Sequence, residues 1–419
     1  MDKKYRVIVA HPGKQHSFQL ATALKQNGLL YKYITTVYDR PGSLTALAKK
    51  ILKGNLRKKA ETRKTDSLTN EDIIQFNEFR ALLLLLISKI PKSDKIWKKA
   101  CSMLADSFGR KVARYAIKEQ VDAVICFDSN CTVLFEILKK EAPNIKRIMD
   151  VSIANRIFMK ENYIEDMKKT GDEGIKKEQI HLWDKNNIRR LKQEIEDSQY
   201  FIVASEIVKK SLLFSGVMPE QIGIVPYGVD STKFSFIEKN ILQKPLKLIY
   251  VGQITYRKGI HHLLKVISEF PESEVRLTLA GGYSETSALY KNYRNYSNIE
   301  FLGFVTRDAL AQAYQAADVF VFPTLGEGYG LVVLEAMSCG LPVIVSDCAG
   351  GNDAITQYED GIVFKAGDDD ELKDSIQWFI DHPDRLPEFS RKAHEKSILF
   401  SWDIYYESVA RLIVGWLKK

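Results

Sequence analysis

Short runs of β-branched and aliphatic residues alternate along the chain with longer stretches in which apolar positions recur every three or four residues. That alternation is the signature of helices laid over parallel sheets. In the first half, YRVIVA (5–10) precedes a loop, HPGKQHS, and a helix-period stretch, FQLATALKQNG, closed by Gly28. KYITTVY (32–38) reads as the second strand, and the basic region 43–119 reads as helical with no strand. VDAVICF (121–127), IKRIMDV (145–151) and QYFIVAS (199–205) resume the strands, with a charged helical block at 155–197. A second series follows Asp230: LKLIYVG (246–252), VRLTLAGG (275–282), IEFLGFV (299–305), DVFVFPT (318–324) and LPVIVSD (341–347). These runs are almost continuously apolar, as strands buried on both faces are. GIHHLLKVISEF, SALYKNYRNY, RDALAQAYQAA and YGLVVLEAMSCG supply the helices between them. Two βαβ series predict an α/β protein of two doubly wound, Rossmann-like domains facing a cleft. The joint falls in GVDSTKFSFIEKNILQKP (228–245), giving domains of residues 1–230 and 231–401 and a closing helix over 402–419 that suits either domain.

Composition narrows the class. With 419 residues, 45% hydrophobic and 27% charged, the chain is neither disordered, nor collagen-like, nor a small disulfide scaffold. The longest apolar run, Ala81 to Ile87, falls far short of the ~20 residues that span a bilayer. The opening MDKKYRVIVAHPGK reads as a strand stopped by His11-Pro12, not as a signal peptide. Five cysteines (101, 126, 131, 339, 348) with no CxxC pair imply buried thiols in a reducing compartment and no zinc site, hence a cytoplasmic protein. The net charge of +8 is segregated: residues 1–118 carry 25 Lys and Arg against 9 Asp and Glu, and the rest 36 against 44. A basic end either meets something anionic or is a well-solvated surface.

The second domain carries the chemistry. LIYVGQITYRKGIHHLL sets Arg257 and Lys258 in a strand-to-helix loop, at the sheet edge where doubly wound folds bind ligands. Adjacent Arg and Lys at a helix start can clamp a diphosphate, the one as a fork and the other as a compact charge. The alternative is two exposed surface cations. In FPTLGEGYGLVVLEAMSCGLPVIVSD, alternate glycines let backbone N–H groups converge on an anion at a helix N-terminus. Glu327 sits in that loop and Glu335 on the helix, where apolar flanks argue against simple exposure; carboxylates so placed suit sugar and ribose hydroxyls.

Glu327 and Glu335 within EGYGLVVLEAMSCGLPVI, preceded by GQITYRKG and followed by AGGNDAI and DGIVF, closely resemble glycosyltransferase family 4, retaining enzymes of the GT-B fold. The resemblance covers roughly 200–402, including SEIVKKSLLFSGV, VPYGVD and the SW at 401–402, and is weak before residue 200. It implies that Arg257 and Lys258 hold the donor's diphosphate, Glu335 the ribose and Glu327 the transferred sugar. It further implies that Gly252, Gly328, Tyr329, Gly330 and Leu331 line the donor, with Phe304-Val305 along the nucleobase, and that the last helix crosses back onto the first domain. The donor would be a nucleotide sugar such as a UDP- or GDP-sugar, with no cofactor and no metal, because the two cations already carry positive charge. The acceptor implied is a lipid-linked glycan or oligosaccharide in bacterial surface polysaccharide assembly.

Departures from the family pattern locate the open questions. Tyr227 replaces the usual Asn of VPYGVD, Asp353 replaces a Glu, and the usual His after IKRIMD is absent, leaving Asp150. In the first loop Gly13 would let the backbone approach donor phosphates, while Lys14, His16 and Asp150 are acceptor-side candidates; each histidine is equally readable as a hydrogen-bonded loop residue. Asp128, flanked by Cys126 and Cys131, is a further cleft residue. FRALLLLLISKIPKSDKIWKKA (79–100) suits either a helix on an anionic membrane, peripheral to the inner face of the cell membrane, or a core helix with a basic outer face. Nothing resembles a nucleic-acid module. Two other activities fit the same architecture: a nucleotide-sugar 2-epimerase and a non-catalytic nucleotide-sugar-binding subunit.

Overall fold

A computed structural model describes the chain except residues 1–4, 52–56, 58–59, 88–93 and 232–233. Seven strands form a first sheet in the order β3-β2-β1-β4-β5-β6-β7. They are β1 Val7–Ala10, β2 Leu30–Thr35, β3 Ile73–Gln75, β4 Ala123–Phe127, β5 Lys146–Val151, β6 Tyr200–Val203 and β7 Ile222–Ile224. Six more form a second sheet in the order β10-β9-β8-β11-β12-β13. These are β8 Leu246–Val251, β9 Val275–Ala280, β10 Ile299–Gly303, β11 Val319–Phe322, β12 Val343–Ser346 and β13 Gly361–Phe364. Every pairing within both sheets is parallel. The central strands VIVA, AVICF, VFVF and VIVS are buried at every position, which is why their sequences lack a polar face.

Strand order reverses between β1 and β4 in one sheet and between β8 and β11 in the other. Successive crossovers leave in opposite directions there, which opens a crevice at the carboxyl ends of the strands.

Three strands escape the sequence pattern. Ile73–Gln75 lies inside the stretch expected to be wholly helical, and Ile222–Ile224 and Gly361–Phe364 complete the far edges of the two sheets. Three or four residues give too little periodicity to register. The expected helix SALYKNYRNY shrinks to Ala288–Lys291. The charged block 155–197 resolves into helices Arg156–Thr170, Gly174–Glu178 and Lys185–Asp197, with a 3₁₀ turn at Ile180–Trp183. Asn155 and Asp184 start two of these by accepting backbone N–H groups from Ile157 and Asn187.

The last helix, Trp402–Leu417, begins where the Ser401 hydroxyl accepts the Ile404 N–H. It buries Tyr405, Val409, Ala410, Ile413 and Trp416, a stripe at helical spacing. That stripe packs on the first domain: the Tyr406 hydroxyl donates to Gln19, and Trp416 stacks on Tyr200 with centroids 4.8 Å apart. Burying a large aromatic accounts for much of this docking, so Trp416→Ala should destabilise the protein by roughly 3–5 kcal/mol. Ile404→Ala, at a side chain 51% exposed, should change stability by less than about 0.5 kcal/mol. Urea unfolding followed by tryptophan fluorescence and far-UV circular dichroism measures both.

Candidate active site at the domain junction

The loops after β8 and β11 meet at the second sheet's switch point. Tyr256–Lys258 form a 3₁₀ turn, and Gly259 follows with φ 68°. A Cβ at Gly259 would lie 1.8 Å from the Pro323 carbonyl oxygen, so only glycine lets the two loops touch. Arg257 Nη1 donates to the Gly326 carbonyl at 2.8 Å, and the Leu325 N–H donates to the Arg257 carbonyl at 3.0 Å. These bonds aim both cations at Glu327. Its carboxylate pairs with the Lys258 ammonium and lies 3.5 Å from Arg257 Nη1, and its other oxygen accepts the Gly328 N–H at 3.1 Å. Burial alone would raise the Glu327 pKa, yet the charges of Lys258 and Arg257 hold it below the ordinary carboxylate range. Lys258 also lies over the Phe322 ring, 4.9 Å from its centroid.

The glycine loop runs from this ion pair to helix Leu331–Ser338, which Gly330 caps in the left-handed conformation. A Cβ at Gly328 would lie 1.9 Å from the carbonyl of Ser152, in the first domain. The Ser205 hydroxyl, also in the first domain, donates to the Gly328 carbonyl at 2.8 Å. Tyr329 is buried with its hydroxyl unpartnered, and Leu331 and Glu335 are half-buried on the helix. Burial and the neighbouring Glu335 charge push the Tyr314 phenol well above its usual value. At the end of β10, Phe304 is 88% exposed, Val305 is half-buried, and the Gly303 carbonyl accepts the Gly281 N–H. Gly252, at the end of β8, donates its N–H to the Ala280 carbonyl.

On the opposing wall, the Gly13 N–H donates to His11 Nδ1 at 2.7 Å, so the His11 ring folds under its own loop. Burial drops the His11 pKa to about 4 and keeps the ring neutral. Sequence reasoning treats His16 and Asp150 as separate candidates, whereas here His16 Nε2 lies 2.9 Å from Asp150 Oδ1 and 3.0 Å from the Tyr227 hydroxyl. Asp150 Oδ2, His11 Nε2 and the Tyr405 hydroxyl are buried without partners in the same region. Lys14 stands at the loop's rim, its ammonium 5.9 Å from the Phe18 ring centroid. Asp128 braces Ser152 by accepting its N–H and hydroxyl, thereby fixing the carbonyl that Gly328 abuts. Cys131 is packed, its thiol donating to the Phe127 carbonyl.

Sequence reasoning missed a second junction cluster. Asp166, on the first domain's helix Arg156–Thr170, accepts from His262 Nε2 at 2.7 Å and from His261 Nε2 at 3.2 Å. His262 Nδ1 donates to Asp369 at 2.6 Å, and Lys265 donates to the other Asp369 oxygen at 2.6 Å. Although these donors lie within 4.8 Å, a spacing compatible with a metal ion, both His262 nitrogens already face carboxylates, the environment of an imidazolium. The adjacent histidines in GIHHLL were the visible signal; no motif marks Asp166.

Residues 231–396 match the family model described as Glycosyl transferases group 1. Sulfoquinovosyl transferase SQD2 of Arabidopsis thaliana is 30% identical over 237 residues, covering 52% of this chain and 46% of that protein. The chain spans about half the length of the curated relatives it matches. Sucrose-phosphate synthase from Thermosynechococcus elongatus superposes with a TM-score of 0.65 at 18% identity, covering 99% of both chains. Anabaena Alr3699/HepE in complex with UDP superposes with a TM-score of 0.64 at 14% identity, covering 98% of this chain and 100% of that one. The fold is GT-B, as the sequence resemblance implied, with two Rossmann-like domains facing a cleft and the final helix returned to the first.

The His262 cluster makes a pH prediction. Burial lowers the His262 pKa, but its bonds to Asp166 and Asp369 outweigh this and raise it from 6.5 to about 9. Asp166 stays ionised, His261 is kept neutral by burial, and Asp369 pairs with Lys265 as well. A raised pKa stabilises fully below about pH 6.5, and that contribution is lost as pH rises through about 9, a span worth roughly 3 kcal/mol. The wild-type melting temperature should therefore fall between pH 7 and 10 more steeply than that of His262→Gln. Parallel scanning calorimetry profiles decide this.

Proposed function

We propose that this protein is a retaining glycosyltransferase that moves a sugar from a nucleotide-sugar donor to a lipid-linked glycan during surface polysaccharide assembly. The observation that carries this reading is the convergence of Arg257, Lys258 and Glu327 at the switch point of the second sheet, facing the first domain. The group 1 match over 231–396 covers that half of the molecule and supports the donor side. A nucleoside diphosphate is a dianion or trianion, and a buried fork and ammonium are the groups that stabilise it as it leaves. In this reading the donor's diphosphate replaces Glu327 as the counter-charge of the two cations, freeing the carboxylate for the transferred sugar. Glu335, one helical turn inside Leu331–Ser338, takes the ribose, and the exposed Phe304 lies along the base. The departing phosphate accepts the proton of the incoming hydroxyl, which attacks an oxocarbenium-like centre from the same face. UDP-sugars and GDP-sugars are both donors of the right chemistry, with UDP or GDP as the leaving group, and Alr3699/HepE was crystallised with UDP.

Lys14, His16 and Asp150 belong to the acceptor side of this scheme, where Asp150 retains an unpartnered buried oxygen for an acceptor hydroxyl. Acceptor choice is assigned to the first domain, which lies outside the group 1 match over 231–396. The domain limits 1–230, 231–401 and 402–419 are adopted with this scheme. No described helix is long and apolar enough to cross a membrane, and the proposed location is the inner face of the cell membrane. Within stretch 79–100 the described residues fall in helices Glu78–Ile87 and Asp94–Glu119. Ala81 and Leu84 pack inward while Phe79, Leu83 and Leu85 are exposed, as are Leu47 and Met103 on the adjoining helices. Lys89 and Lys92 lie outside the described residues.

Two experiments test the scheme. Arg257→Ala and Lys258→Ala should each weaken the tighter-binding of UDP and GDP about tenfold or more in calorimetric titration, since a charge-assisted bond is worth roughly 1.5–3 kcal/mol. Glu335→Gln should weaken it too. Glu327→Gln should bind the nucleotide at least as well as wild type while lowering kcat, because it removes a competitor for the cations and a partner of the sugar. Unchanged affinity in both cation variants refutes the diphosphate assignment. For the membrane, vesicles containing anionic lipid should pellet the protein at low salt and neutral vesicles should not, each surface Lys contributing about 1 kcal/mol. Replacing Lys89, Lys92, Lys95, Lys98 and Lys99 with Gln should abolish pelleting and leave donor hydrolysis unchanged.

A further inference from the structure

The helical arm between β5 and β6 belongs to the first domain, yet it reaches the loop that carries the two cations. Glu178, the last residue of helix Gly174–Glu178, accepts the Tyr256 N–H at 2.9 Å and the Arg257 N–H at 3.2 Å, one from each carboxylate oxygen. These are the first N–H groups of a 3₁₀ turn, which no bond within the turn can satisfy. Gly174 lies flat against the Tyr256 ring, so that a Cβ there would stand 2.3 Å from it. Asp166, one helix earlier, grips His261 and His262 in the first turn of the helix that follows. The arm therefore holds the loop from both sides of Arg257 and Lys258. Lys169 completes the contact by donating to the Gly367 carbonyl at 2.8 Å.

We propose that Glu178 is a positioning residue: its carboxylate fixes the backbone of Tyr256 and Arg257 so that the guanidinium and ammonium beside it meet a nucleoside diphosphate already aimed. The proposal rests on the diphosphate reading of Arg257 and Lys258 and deepens it. Glu178 need not touch the nucleotide. It acts through Arg257, whose guanidinium is otherwise tethered only by the Gly326 carbonyl and the Glu327 carboxylate among the contacts described. Because the carboxylate and the loop lie on different domains, this restraint on the Tyr256 and Arg257 backbone lasts only while the arm is docked. Donor affinity and the closed arrangement of the domains then reinforce each other, since a ligand favours whichever arrangement binds it better.

The test is a double-mutant cycle on the full chain, with UDP and GDP titrated calorimetrically into wild type, Glu178→Ala, Arg257→Ala and the double variant. Glu178→Ala should weaken the tighter nucleotide about tenfold, the loss expected for two backbone hydrogen bonds. In the Arg257→Ala background the same change should weaken it less than about threefold, because its effect runs through the missing side chain. Glu178→Gln, which keeps the shape and one carbonyl acceptor, should recover most of the affinity; if Glu178→Ala melts early, Glu178→Leu, which fills similar space without an acceptor, takes its place in the cycle. Wild-type affinity in Glu178→Ala beside weakened Arg257→Ala would overturn the positioning role and leave the diphosphate reading standing. Equal losses in both backgrounds would also overturn it, because a general structural defect adds independently. Wild-type affinity in Arg257→Ala would remove the diphosphate reading itself, and the positioning role with it.

Discussion

A single carboxylate between two cations organises the junction of this molecule. Lys258 and Arg257 are only 12% and 19% exposed, and two positive charges so placed repel each other unless a counter-charge stands within reach. Glu327 is that counter-charge, and the local backbone follows from bringing it there. The loops after β8 and β11 must approach within contact, which requires glycine at 259. The chain must then turn sharply into helix Leu331–Ser338, which requires the left-handed Gly330. In the proposed scheme, an anion that displaces Glu327 inherits a loop already shaped for negative charge.

The first domain takes part in that arrangement rather than merely facing it. Ser152, held by Asp128, abuts Gly328; Ser205 donates to the Gly328 carbonyl; Glu178 and Asp166 hold the flanks of the cation loop. Four first-domain residues thus restrain the second domain's loops by polar contacts of 2.7–3.2 Å or by close packing. The site belongs to the pair of domains.

Much of this was legible before any coordinates. Ten of the strands announce themselves as mainly apolar, β-branched runs, most nearly continuous in the central strands that are covered on both faces. The three that were missed are edge or near-edge segments of three or four residues, stabilised by one neighbour and too short to carry a period. The loop positions of Arg257, Lys258 and Glu327 and the helix position of Glu335 were legible because each lies beside a strand-to-helix crossover in sequence. Glu178, Asp166 and the His16–Asp150–Tyr227 contact were not, because each joins residues 78 or more apart and no local pattern encodes a long-range hydrogen bond.

The chain crosses between the domains twice, and the crossings lie side by side. The Val229 N–H donates to the Phe400 carbonyl at 2.9 Å, Val229 pairs with Ser401, and a Cβ at Gly228 would stand 2.2 Å from the Trp402 nitrogen. Covalent chain cannot part there, whereas the contacts of Glu178, Asp166, Lys169 and Gly328 join the domains only by hydrogen bonds, ion pairs and packing. Any widening of the cleft must therefore spare the paired crossings and break the polar contacts around the cation loop. The final helix, anchored on the first domain by Trp416 and Tyr405, stays with that domain in such a motion although it follows the second in sequence. In the proposed scheme, admission of a ligand and release of the loop that would hold its charge are in this way one mechanical event.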